Sequence, residues 1–275
     1  MRNESDIFNR VMPRDHIAIA GFFENRLTGS RVIIGNTHLF WDHVYRDVKV
    51  IQVAILMEQL AKFAEGWVNY PPLKDKKMFR YSERDVDGIE SVVDSGPEPA
   101  PSQEYASALQ IPLILCGDFN SLAGSGVVDL ISTGSLPHDH EDLSTFKYGN
   151  FTRDGITHPF SLKSAYTPKD LPFTNYTPTF TDMIDYIWYS TTTLQVTSLL
   201  GQIDKDYLKR APGFPDWHFV SDHLVLLAEF MMKPRKNAVI GSGGSGVSSI
   251  KSNQQESHGQ GFGSERAGSR NTSQP

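Results

Sequence analysis

Apolar residues run in short blocks along this chain, and the spacing inside each block predicts its element. His16 to Glu24 (H-I-A-I-A-G-F-F-E) and Arg31 to Leu39 (R-V-I-I-G-N-T-H-L) are short and mostly apolar, and predict two strands joined by a turn over Leu27 to Ser30. Asp47 to Ala64 carries Val48, Ile51 and Ile55 on one face and Leu56, Leu60 and Phe63 on its neighbour, the periodicity of a largely buried helix. Ile111 to Cys116 (I-P-L-I-L-C) predicts a third buried strand, stopped by Gly117. Ser121 is placed to cap a helix through Val127, Val128, Leu130 and Ile131 that ends at Gly134. Met183 to Ser190 and Leu194 to Leu200 predict a further strand pair, and Leu224 to Phe230 a last strand. Met1 to Arg14 is polar and shows no strong period.

Two stretches break the pattern. Gly66 to Leu109 holds Pro71-Pro72, a Lys74 to Lys77 cluster and S-G-P-E-P-A-P-S at 95–102, so it predicts a long exposed insertion. Its cations (Lys74, Lys76, Lys77, Arg80) suit a solvated loop better than an RNA patch. Beyond Lys233 the residues turn to Gly, Ser, Asn and Gln, which divides the chain into one domain portion, 1–233, and a disordered tail, 234–275. Strands alternating with helices give an α/β class. The single cysteine, Cys116, lies in an apolar run as a core residue would, and fits a reducing compartment. No apolar run approaches the roughly 20 residues that span a bilayer, so the expectation is a soluble intracellular protein without a membrane partner. A net charge of -6 argues against gripping nucleic acid by bulk basicity, but suits an acidic cleft that meets phosphate through a metal ion.

Polar residues gather where the apolar blocks stop. Asn36 and His38 end the second strand, Asp118 and Asn120 follow the third, Asp185 interrupts an aromatic run, and Asp222-His223 precedes the last strand. Residues two apart on an extended chain share a face, so each of the first two pairs points to one side. A carboxylate beside an amide suits a hard divalent cation next to a phosphate, although G-D-F-N alone is also the composition of a turn. A buried Asp185 needs a partner, and a histidine would serve. Gathered on one edge of a sheet, these residues are the inventory for metal-assisted attack of water on a phosphodiester. His138-Asp139-His140-Glu141-Asp142 has metal-binding composition, but its spacing matches no zinc pattern and predicts a loop.

The ordered set N-T-H at Asn36 to His38, G-D-F-N at Gly117 to Asn120, D-Y-I at Asp185 to Ile187 and S-D-H at Ser221 to His223 resembles the endonuclease/exonuclease/phosphatase family. Within it, N-T-H-L-F-W-D, D-V-K-V-I-Q and F-T-N-Y-T-P-T-F-T-D-M-I-D-Y-I-W are similar to the fungal poly(A)-shortening members. The resemblance implies a two-sheet α/β sandwich and a Mg²⁺-dependent 3'-5' exoribonuclease that acts on poly(A) RNA and releases AMP in cytoplasm and nucleus. It implies that His38 contacts the scissile phosphate, with Asn36 beside it. Asp118 would place the attacking water near metal, Asn120 would bind phosphate and the terminal adenosine, and Asp222 would help bind a second metal. His223 would work beside the water with Asp185 orienting it, and Phe180 would stack on adenine. Two departures stand out: His43 replaces a proline usual after W-D, and the family's upstream half, with its metal-binding glutamate and the leucine-rich repeat that joins the Ccr-Not subunits, has no match before Arg10. The chain therefore reads as the C-terminal portion of such an enzyme and an incomplete catalyst. Another phosphodiesterase or phosphatase of the family, or a non-catalytic RNA- or protein-binding fragment, are the alternatives.

Overall fold

The computed structural model describes residues 6–73, 83–84, 90–91 and 99–235. In chain order the elements are α1 (Ile7–Arg10), β1 (Ala18–Glu24), β2 (Arg31–His38), α2 (Arg46–Val68), β3 (Glu83–Arg84), β4 (Glu90–Ser91), β5 (Leu113–Asp118) and α3 (Gly126–Thr133). There follow β6 (Ser135–Leu136), α4 (Asn150–Arg153), β7 (Ile156–Thr157), β8 (Leu162–Ser164), β9 (Asn175–Tyr176), β10 (Thr181–Asp182), β11 (Asp185–Ser190), β12 (Leu194–Leu199), α5 (Lys205–Leu208) and β13 (Ala228–Met232).

Five strands form the main sheet in the order β1-β2-β5-β11-β8. β1 and β2 are the antiparallel hairpin that the alternation predicts, and β2 runs parallel to β5. A parallel pair needs a crossover, and α2 supplies its helical part. Side chains alternate across the sheet: Ile33, Leu113 and Leu115 point to one face and are buried with Val48, Ile51 and Met57 of α2 and Leu130 and Ile131 of α3. Ile34, Ile114 and Tyr189 point to the other face, where Phe230 of the antiparallel β12–β13 pair meets Tyr189 at 5.3 Å between ring centroids. A second, smaller sheet thus covers the β11 side of that face, and among the described residues nothing covers the β1 side.

Several elements differ from the sequence expectation, each for a non-local reason. α1 forms within the stretch that shows no period, because Arg10 is buried against α2, with Nε 2.6 Å and Nη2 2.9 Å from the Asp47 carboxylate, and Tyr148 bonds the same group. α2 extends four residues past Ala64, where Trp67 packs on Phe22 of β1 at 5.4 Å. α3 begins at Ser125, not Ser121: Ser125 Oγ accepts the Val128 N–H, whereas Ser121 is buried and donates to the Phe119 carbonyl. Its end at Gly134 is as predicted, with φ +80°. β11 and β12 are not partners; β11 lies between β5 and β8, and β12 pairs with β13. The last strand starts at Ala228 rather than Leu224, because 224–227 is spent on single bonds to neighbours, among them Leu224 N–H to the Thr174 carbonyl. Cys116 is half-buried rather than core, since it sits on the half-covered face, where burial pushes its thiol pKa up.

The insertion is anchored at both ends. Tyr105 is buried and its hydroxyl accepts the Arg31 N–H at 2.8 Å, so 99–109 belongs to the packed domain. The lysine-rich part of the insertion and the tail 236–275 lie outside the described residues.

Candidate active site

The ends of β2 and β5 and the start of β11 meet on the sheet face opposite the helices. In register, His38 faces Asp118 across the parallel pair, and Asp118 faces Asp185 across the antiparallel one. Gly117 makes the approach possible. Its φ is +145°, and a Cβ there would stand 1.8 Å from the Thr37 carbonyl oxygen, so no other residue allows β5 this close to β2. His38 Nε2 lies 3.4 Å and His223 Nε2 3.9 Å from Asp118 Oδ2. His223 Nδ1 is 2.8 Å from Asp185 Oδ2, which also accepts the Thr174 hydroxyl at 2.7 Å. A carboxylate on Nδ1 leaves Nε2 as the working nitrogen.

His223 does not arrive on a strand. It is carried by an isolated bridge to Asn175 of β9, so β9 rather than β13 places it. Asp222 turns its Oδ2 to Asn175 Nδ2 at 3.3 Å, and its carbonyl accepts the Tyr176 N–H. Asn120 also departs from the extended geometry expected of G-D-F-N. Its φ is +46°, its N–H bonds Asp118 Oδ1 at 2.7 Å, and its side-chain amide donates to the Leu39 carbonyl at 2.9 Å. Left-handed backbone suits Asn better than most residues. Asn36 lies two residues before His38 on the same face, exposed and in register with Cys116. Phe180 is no core residue: it is 41% exposed and lines a cavity of about 550 Å³ with Trp41, His43, Lys49, Asn120 and His223. In the loop 138–142, His140 caps the short turn that follows, and Asp142 bonds the first N–H of α3, as a structural loop should.

Charge is concentrated here. Burial raises the Asp118 pKa, and the facing Asp185 raises it further, against the opposing Asn120 N–H and both histidines. Burial alone would lower His223, but its bond to Asp185 and the charges of Asp118 and Asp222 prevail and raise it. Ligand atoms of Asp118, Asp185 and His223 all lie within 4.8 Å of one another, the group among the described residues that fits a cation. Two facing carboxylates, one raised by the other's charge, are the donor chemistry that a hard divalent ion relieves. Asp222, expected as a ligand, stands outside that group. Thr174, Lys49 and Gln52 escape the motif reading; for the last two the sequence offers only polar residues interrupting the apolar first half of a helix.

Residues 100–223 match the model of the Endonuclease/Exonuclease/phosphatase family. The chain belongs to that family, as its strand-end motifs imply. It is 58% identical over 238 residues, 86% of its length, to the CCR4-Not complex 3'-5'-exoribonuclease subunit Ccr4 of Phaeosphaeria nodorum, and 57% identical over the same share to that of Coccidioides immitis. It spans 40% and 31% of the lengths of those two relatives. The fold agrees with the crystal structure of ANGEL2, a 2',3'-cyclic phosphatase, at a TM-score of 0.53 and 20% identity, covering 80% of this chain and 62% of that one.

Proposed function

We propose that this chain carries catalytic residues of a Mg²⁺-dependent 3'-5' exoribonuclease that shortens poly(A) and releases AMP. One observation carries the reading: His38, Asp118, Asp185 and His223, from four separate segments, form a continuous set of contacts on one sheet face. His223, oriented by Asp185, is held to take a proton from water at Nε2. Asp118, beside that nitrogen, accepts a hydrogen bond from the same water. Attack at phosphorus breaks the P–O3' bond, the departing O3' takes a proton from solvent to become the 3'-hydroxyl of the retained strand, AMP leaves with the phosphate, and His223 returns its proton to solvent. His38, with an exposed ring and Nε2 toward the cluster, donates to a phosphoryl oxygen. Asp118 and Asp185 would hold Mg²⁺, which would supply charge neutralisation at the phosphoryl oxygens. Phe180 offers its exposed ring to adenine, and Asn120 positions the nucleotide from the same cavity. Asp222 is reassigned from metal ligand to anchor of the His223 loop.

The names of the relatives support CCR4-Not complex subunits as partners, and we extend the reading to poly(A) RNA as substrate in cytoplasm and nucleus. No helix among the described residues is long and apolar enough to cross a membrane. The test is release of AMP from a 5'-labelled RNA ending in an A-tract, with Mg²⁺ or with EDTA, by this chain and by a version joined to the upstream sequence of a relative. Cleavage that requires Mg²⁺ and vanishes in Asp118→Ala is expected. Hydrolysis of an adenosine-free diester with no action on the A-tract would replace this reading with another phosphodiesterase. Separately, Mg²⁺ raises the melting temperature of the wild-type chain and not of Asp118→Ala; a fragment that only binds RNA or protein shows no such response.

A further inference from the structure

Most polar side chains of α2 face solvent, but two that lie one turn apart near its start, Lys49 and Gln52, turn inward to the loops that follow β5 and β2. Lys49 is 5% exposed. Its one side-chain hydrogen bond among the described residues runs from Nζ to the Asn120 carbonyl oxygen at 2.6 Å. Gln52 Oε1 accepts the Phe40 N–H at 3.0 Å. The acceptor and the donor that they reach lie in the first turns beyond β5 and β2. Those turns are already laced together, because Asn120 Nδ2 donates to the Leu39 carbonyl and the Leu39 N–H bonds the Asp118 carbonyl at 2.9 Å.

A buried ammonium is costly, and burial pushes the Lys49 pKa down. A methionine would fill the same space without that cost, so stability alone does not account for lysine here. What lysine adds is a donor for the carbonyl of a residue at φ +46°, a conformation that costs energy and relaxes when nothing holds it. Asn120 in turn fixes Asp118 through its N–H to Oδ1.

We propose that Lys49 and Gln52 are positioning residues: from one helix they clamp the loops after β5 and β2, and so hold His38 against Asp118. The inference rests on the functional reading above for its kinetic consequence, but not for its structural one. With Lys49→Met the clamp loses its donor at Asn120. A shift of about 1 Å in a reacting group costs up to about 100-fold in rate, so kcat on A-tract RNA falls roughly 10- to 100-fold. KM changes less than kcat, since Phe180, the ring offered to adenine, is untouched. The melting temperature moves by no more than about 5 °C, and Lys49→Arg recovers most of kcat.

Nuclear magnetic resonance supplies a readout independent of cleavage. The Asn120 side-chain amide, bonded to Leu39 O, exchanges with solvent at least about tenfold faster in Lys49→Met than in wild type or Lys49→Arg. Unchanged kcat, or a loss that follows the melting temperature and is not rescued by arginine, overturns the inference. If neither the wild-type chain nor the version joined to a relative's upstream sequence cleaves RNA, it is the functional reading that has failed, and Asn120 exchange alone decides: equal rates in wild type and Lys49→Met overturn the clamp. Should Lys49→Met not fold, Gln52→Met, at a half-buried position, is judged by the same exchange and kinetic criteria.

Discussion

Phe180 turns a ring toward solvent at the rim of the cavity that it shares with Trp41 and His43, and the proposed function assigns that ring to base stacking. Stacking contributes roughly 1 to 3 kcal/mol per base, so Phe180→Ala lowers kcat/KM on an A-tract by about 5- to 100-fold. Cleavage of a generic diester changes little; an equal loss on both substrates removes Phe180 from substrate choice. Behind the cluster, Asp185 accepts from both His223 and Thr174. Asp185→Asn leaves the packing but not the orienting charge, and kcat drops by about 100-fold or more with the fold intact by circular dichroism. Gly117 answers to a different constraint. Its positive φ and the Thr37 carbonyl leave no space for a Cβ, so Gly117→Ala destabilises the chain by about 3 kcal/mol or more, read from urea denaturation. A loss below about 1 kcal/mol would mean that β2 and β5 separate freely. The G-D-F-N motif is thus partly steric: its glycine permits the strand approach, and its aspartate and asparagine use it.

Among the elements, α3 and the β7 loop are joined by a histidine outside the catalytic cluster. His158 Nε2 bonds the Leu130 carbonyl at 3.0 Å, and its Nδ1 accepts the Phe160 N–H at 3.2 Å, a pattern that needs the neutral ring. Burial lowers its pKa below the ordinary 6.5, against the carbonyls at the end of α3. In the unfolded chain the same ring takes a proton below pH 6.5, so the unfolded state binds more protons and stability falls as pH drops from about 6.5 toward the lowered folded value. The slope contributed is at most about 1.4 kcal/mol per pH unit. His158→Gln is less stable at neutral pH but loses that segment of acid sensitivity, checked by urea midpoints at several pH values; an unaltered slope would show that other groups set the acid limb. β9 is a comparable case of an element defined by what it carries, since two residues suffice to dock His223 over Asp185.

Over the whole molecule the unequal covering of the main sheet stands out. The β12–β13 pair shields the β11 side of one face, while β1, an edge strand, leaves Ile19 71% and Phe23 53% exposed, with Ile17 and Ile34 beside them. No charge interrupts His16 to Phe23, and edges of this kind pair with other chains. This chain, taken alone, therefore sediments as concentration-dependent assemblies, and Ile19→Lys with Phe23→Lys shifts it to monomer; a wild-type monomer at every concentration would contradict this. The same sheet shows where reading from sequence succeeds and where it stops. The β1–β2 hairpin, the body of α2, the β5 run and the Gly134 stop were legible because a strand or helix writes its periodicity into neighbouring residues, and the family could be read because its motifs stand at the ends of those blocks. Fold class and the candidate residues His38, Asp118, Asp185 and His223 were within reach of the sequence by itself. Only the tertiary structure decided that β11 inserts between β5 and β8, that Asn120 turns left-handed onto Leu39, that β9 delivers His223, and that Lys49 and Gln52 of α2 grip the loops beneath the cluster. Each of these is a contact between residues distant along the chain, and no local period records which partner a buried polar group will find.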